Sequence, residues 1–292
     1  MRKLPVFASL GEVLSGVARH YFQLLGAAWP AVLVLLAAVG MIAWLYYSVG
    51  YFAALTADEG KPDLAALEAA AIALTTDSNR WAAYGAQFLV VVASAVAAVR
   101  WHRLVLLGEG ANGEGGVVPL RKEDGIYLFA LLKILLLCIG GVLLFALATF
   151  ATSMTGSKAL NVVIALLLVF LYFLAFGLLM RLMLALPDAS VGAGGRVFAI
   201  FRASEGNTWR LLGLVLLLGF VTSIVIAVAF MAVGALANAA GVASLSSSPV
   251  FIAASIVVGL AIYLYFVMAQ VTVLSVAYRE IIGMPGDSPQ AA

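Results

Sequence analysis

The chain has 292 residues, of which 65% are hydrophobic and 10% charged, and its net charge is +2. So much apolar surface cannot be buried around so little polar surface in water, which excludes a soluble domain and points to lipid as the solvent. The small net charge excludes a nucleic-acid binder, and the single cysteine, Cys138, excludes an internal disulfide.

Ser9 and Glu12 stand at capping-box spacing near the start of the chain. Leu10, Val13, Leu14, Val17 and Tyr21 then recur at helical spacing, with Glu12, Ser15, Arg19 and His20 on the other face. This predicts a short amphipathic helix lying along the inner interface of the membrane. Arg2 and Lys3 are not followed by a short apolar core and a cleavage site, so the first span is expected to stay in place as an anchor.

Six apolar runs follow, at 24–50, 81–104, 126–152, 160–186, 209–239 and 250–278. Each can cross a hydrocarbon core of about 30 Å at about 1.5 Å per residue. Lipid obliges each to satisfy its own backbone, so all six are predicted helices, and the alternation of a barrel is absent. The expected fold class is all-α: a polytopic membrane bundle of six transmembrane helices with short interfacial amphipathic helices. It fills 1–292 as a single transmembrane domain. Pro30 should bend the first span. The loop at 51–80 is acidic, and Leu64, Leu67, Ala71 and Leu74 fall on one helical face. It reads either as a short helix on the outer leaflet or as a solvated connector.

Lysine and arginine set the orientation. With the N-terminus inside, the inner side holds Arg100, Arg103, Arg181, Arg196, Arg210, Arg279 and most of the other cations. The outer side holds only Lys61, Arg80 and Lys158. Both termini are therefore expected in the cytoplasm. The second, fourth and sixth spans each end inside with an arginine: Arg100, Arg181 and Arg279. Phe22-Gln23-Leu24-Leu25-Gly26 aligns with Trp209-Arg210-Leu211-Leu212-Gly213, each after an amphipathic stub. A weaker middle stub lies around Leu120 to Tyr127. The chain thus divides into hairpin units at about 1–104, 105–187 and 188–292. They are either three parallel repeats or three ordinary inside-out hairpins with a shared charge pattern.

Gly108, Gly110 and Gly113 match G-x-G-x-x-G, but they follow a transmembrane helix and not a strand, so the segment reads as an inner loop. Gly192, Gly194 and Gly195 read the same way. His20 and His102 lack ligand-spaced companions and sit beside arginine, so they are expected at lipid headgroups, and no metal or cofactor is expected. No Asp or Glu lies deep in a run, which argues against ion coupling. Gln87 and Gln270 are expected to bond between helices, and the small-residue stripes Gly219/Ser223/Ala227 and Ser255/Gly259 to pack helices closely. Lys133 and Arg181 are the deepest cations. They either snorkel to the inner headgroups or share a crevice that receives a lipid phosphate, with Arg100, Arg210 and Arg279 as further contacts.

Three stretches resemble the membrane domain associated with bacterial glycerophosphoryl diester phosphodiesterases. These are Phe7-Ala8-Ser9-Leu10-Gly11-Glu12-Val13-Leu14, Arg181 to Pro187 with the following Asn207-Thr208-Trp209-Arg210-Leu211, and Ala277-Tyr278-Arg279-Glu280. The resemblance implies a six-helix bacterial inner-membrane module, often standing alone. The phosphodiesterase chemistry belongs to a separate barrel that nothing here matches, so no catalytic residue carries over. The expected function is non-enzymatic: binding of anionic lipid headgroups, or of another membrane protein, at the cytoplasmic side. The alternative is a transporter or permease-like subunit for a lipidic or amphipathic substrate, with a cavity lined by Lys133, Arg181, Gln87 or Gln270.

Overall fold

Helices form where the apolar runs lie, and their ends are set by a few residues that cannot continue them. The structure, a computed structural model, describes residues 3–51, 54, 63–108, 121–153, 158–192, 194, 196–239 and 249–283. Among them every regular element is a helix: α1 (Val6–Ser48), α2 (Leu64–Leu74), α3 (Asp77–Leu107), α4 (Lys122–Ser153), α5 (Lys158–Met183), α6 (Ala185–Ser190), α7 (Val197–Ala203), α8 (Thr208–Ala239) and α9 (Pro249–Ile281). Six of these, α1, α3, α4, α5, α8 and α9, are long and apolar enough to cross a membrane. The all-α bundle of six long apolar helices is present.

The first stub is not a separate element. Val6 to Ser48 is one helix of 43 residues, with Pro30 inside it. At about 1.5 Å per residue it is roughly 65 Å long, twice a hydrocarbon core of about 30 Å. The stub's apolar face is still buried: Val13 and Val17 are wholly enclosed, and Leu10 and Leu14 pack against the core. The middle stub likewise runs straight into α4. Only the third is detached, as α7. Gly206 has φ 78°, a backbone region that glycine enters freely, and it sits in the turn between α7 and α8. In the aligned register the first unit has Arg19 at that place, which continues a helix.

At the end of α5 the break has a covalent cause. Pro187 has no N–H to give the Met183 carbonyl four residues earlier, and α5 stops at Met183. The chain restarts as α6, all six residues of which are buried. In the acidic loop at 51–80, Asp63 caps α2 by accepting from the N–H groups of Ala65 (3.0 Å) and Ala66 (3.1 Å). Of the face predicted there, Leu67 and Leu74 are half-buried, while Leu64 and Ala71 are exposed.

Each long helix touches the next in the chain, and α9 packs back on α1, so the six close into a ring. α9 also reaches α3, and α6 is wedged among α3, α4, α5, α7 and α9. The core gathers at one end of the bundle, where Leu4, Val13, Trp101, Leu184, Leu214 and Met268 are buried. The α1–α3 pairing is the most extensive in the bundle, and alanines are buried on both helices, among them Ala28 and Ala31 of α1 and Ala93 and Ala97 of α3. Gly177 lets α5 approach α8: a Cβ there would lie 2.8 Å from Thr208 Cγ2.

The predicted small-residue stripe on α8 does not pack. A Cβ on Gly219 would meet nothing within 4 Å, and Ser223 and Ala227 are exposed, with the Ser223 hydroxyl bonded to the Gly219 carbonyl. Gly259 also faces open space. Close approach is supplied by alanine along α1 and α3, a signal diluted in a chain rich in alanine everywhere.

Candidate functional site

The arginines that end the returning helices do one job three times. Arg100, near the end of α3, bonds Asp124 Oδ2 at 3.0 Å, in the first turn of α4. Asp124 also accepts the N–H of Arg121 at 2.7 Å, which is the return half of a capping box. The Arg100 and Asp124 side chains are only 12% and 2% exposed. Arg181, near the end of α5, donates from Nε to Ser204 Oγ (3.2 Å), from one terminal nitrogen to Thr208 Oγ1 (3.4 Å), and from the other to the Phe201 carbonyl. It also stacks on the Phe201 ring, 4.0 Å from the centroid. Arg279, near the end of α9, holds both carboxylate oxygens of Glu12 at 2.6 and 2.7 Å. Arg100 and Arg181 thus each grip the start of the following hairpin, and Arg279 grips the start of the first.

Further polar contacts brace the same end. The Leu4 N–H donates to Asn207 Oδ1 (3.0 Å), and Arg210 donates to the Leu4 carbonyl (3.1 Å). Arg103 donates to the Ser190 carbonyl of α6 (2.8 Å). Asp188 on α6 is 1% exposed and receives the Tyr278 hydroxyl (3.0 Å) and the Arg196 N–H (3.3 Å). Trp101 donates its indole N–H to the Leu24 carbonyl at 2.6 Å.

His102 is not at the headgroups. It is fully buried, with Nδ1 2.7 Å from Ser275 Oγ and its ring beside Tyr127. The Ser275 hydroxyl also lies 3.2 Å from the Val271 carbonyl one turn earlier on α9. The pair braces α3 against α9. His20 is exposed and bonds Gln23 (2.6 Å). Gln87 and Gln270 are both exposed, and no hydrogen bond joins either to another helix among the described residues. Gly108 has φ 70° and donates to the Leu104 carbonyl, so the first glycine of the G-x-G-x-x-G segment is the C-cap of α3. The rest of that segment lies outside the described residues, as does Gly195, while Gly192 and Gly194 take positive φ in the turn after α6.

One cavity of about 540 Å³ opens at this end, between α4 and the start of α7. Lys133 with Leu136 and Leu137 forms the α4 wall. Arg196 and Gly194 from the turn, and Val197, Phe198 and Ala199 from α7, form the other. Of the residues expected to line a crevice, it takes in Lys133 alone. Arg181 does not join Lys133, because the residue is only 7% exposed and its guanidinium is committed to the α7–α8 turn. The second cation at the cavity is Arg196. The Lys133 ammonium lies 4.3 Å over the Phe129 ring, one turn toward the start of α4, which is the basic end. The exterior is then open to both charges, since no ion pair engages Lys133 or the Arg196 guanidinium among the described residues.

No group of three or more His, Cys, Asp or Glu side chains suited to a metal occurs among the described residues. No family model, curated protein or solved structure matches the chain. The functional reading rests on this geometry.

Proposed function

We propose that the chain is a multi-pass protein of a bacterial inner membrane, with both termini in the cytoplasm. On this reading it catalyses no reaction and binds anionic lipid at its basic end. One observation carries the reading. Arg100, Arg181, Arg210 and Arg279 are spent on internal contacts, whereas Lys133 and Arg196 line a mostly apolar cavity with no ion pair to either side chain among the described residues. Cations beside apolar walls favour a ligand that is anionic at one end and oily at the other. The cavity lies at one end of the bundle, where α4 of the second unit meets α7 of the third, and Arg181, Gln87 and Gln270 do not line it, which favours a binder over a permease for the same class of molecule.

Two measurements test the reading. Reporter fusions at Gly113, at Gly194 and after Ala292 are expected to be cytoplasmic, and fusions near Asp63 and Ser246 external; one reversed inner loop overturns the topology. Protein extracted in mild detergent and weighed intact with its lipids should retain anionic phospholipid above its share in the membrane. Retention in simple proportion to the membrane overturns lipid binding.

A further inference from the structure

We propose that the groove between α4 and α7 is built for one anionic phospholipid of the leaflet at the basic end, with its phosphate at Lys133 and Arg196 and an acyl chain along α4. This deepens the lipid-binding reading above and rests on it. Three observations point to that occupant.

The first is chemical. Arg196 offers a planar fork of donors and Lys133 a compact point charge, a pair that a phosphate with several free oxygens can engage at once. Asp188, the carboxylate that accepts the Arg196 backbone N–H, does not cancel them from the groove side. It is buried and turned inward, with the Tyr278 hydroxyl and the Arg196 backbone N–H as its partners.

The second is depth. Lys133 is the twentieth residue before Ser153, where α4 ends. Twenty residues of helix span about 30 Å, the thickness of a hydrocarbon core. On the proposal the hydrocarbon core covers α4 from Lys133 to Ser153, which puts Lys133 at the level of the phosphates and the part of α4 before it in the headgroup layer and the water beyond. On that placement the cation that looks deep in the sequence is at the boundary.

The third is the path away from the charges. Leu136 leads from the groove up one face of α4 through Gly140 to Leu143 and Leu147, with Leu136, Leu143 and Leu147 exposed by 60%, 60% and 65%. No neighbouring side chain occupies the space at Gly140. On the α7 side Phe198 is 68% exposed and forms the rim. An acyl chain that starts at the cations has a continuous apolar track toward the bilayer centre. A soluble anion would leave that track unused.

The test compares binding of dioleoylphosphatidylglycerol and dioleoylphosphatidylcholine to the detergent-solubilised protein by native mass spectrometry. K133Q/R196Q should weaken the phosphatidylglycerol adduct by roughly five-fold for each cation lost, with a smaller loss for phosphatidylcholine, whose choline cation offsets its phosphate. R19Q/R202Q removes two exposed cations of the same end outside the groove and should leave both adducts nearly unchanged. K133R/R196K keeps the charges and should keep binding. A199W fills the groove without touching a charge and should also weaken the adduct. The groove is overturned if R19Q/R202Q costs as much as K133Q/R196Q, if A199W binds as wild type does, or if millimolar inorganic phosphate displaces the lipid. A wild-type preference for phosphatidylglycerol that survives K133Q/R196Q overturns the groove but leaves lipid binding standing. No wild-type preference at all removes the lipid-binding reading itself.

Discussion

The two ends of the same helices are held by different physics. On α5, Val162, Leu166 and Phe170 are 61%, 67% and 55% exposed, while Met180 and Leu184 near its other end are 8% and 0% exposed. α4 repeats the contrast, with Tyr127, Ala130 and Ile134 buried and Leu143 and Leu147 bare. Lipid tails are as apolar as leucine, so burying one leucine against another within the bilayer gains little, and the halves away from the packed end are free to stand apart. Where the helices emerge toward water, the hydrophobic effect returns and burial is rewarded. The packed core sits at that end, and the buried polar groups sit there too, each needing a partner.

Four substitutions probe this contrast, from the largest effect to the smallest. Trp101→Ala should cost about 3–5 kcal/mol, as for other large buried aromatics, because Trp101 is 1% exposed and also holds the Leu24 carbonyl. The readout is the unfolding midpoint in detergent; a shift no larger than that of a leucine away from the packed end would erase the distinction. Asp124→Ala leaves Arg100 without its carboxylate and should cost about 3 kcal/mol, the low end for a broken buried pair, since Arg100 keeps 12% exposure. Replacing Arg100 and Asp124 together by methionine and leucine should recover much of that loss, which a double-mutant cycle would show. Glu12→Gln breaks a bridge whose partners are 30% and 46% exposed and should cost under about 1 kcal/mol. A larger loss would mean that the α1–α9 seam is drier than its exposure implies. Leu166→Ala, in the half away from the packed end, should stay within about 0.5 kcal/mol of wild type.

Much of the fold was legible because membranes impose one strong rule, that each apolar run must become a helix. The runs, and the crowding of cations at one side, follow from counting residues. The tertiary roles of those cations do not. Arg181 and Lys133 look alike in sequence, each a cation near a span end. One is folded under the α7–α8 turn and the other left open, and the difference depends on Ser204 and Thr208, more than twenty residues from Arg181. His102 beside Arg103 had the appearance of a headgroup ligand, yet its partner is Ser275. Asp124 and Asp188 look like loop carboxylates because they flank the runs, and only packing reveals them as buried. The missing break after the first stub was available in principle. The third unit has Gly206 where the first has Arg19, and that difference forecasts one detached stub and one continuous helix. Arg196 could not be singled out from the sequence, since its place beside Lys133 depends on how α6 and α7 fold back on α4.

The contacts that close the ring also order events in time. Leu4 is joined to Asn207 and Arg210 across 203 and 206 residues, and Glu12 to Arg279 across 267. A ribosome feeding this chain into a membrane delivers the first hairpin long before those partners exist. Until the last helix enters, the buried flank of α1 around Val13 and Val17 lacks part of its cover, and Glu12 lacks its guanidinium. The newborn protein is therefore most exposed to proteases and misassembly at its oldest end, and it becomes safe only when its youngest helix arrives.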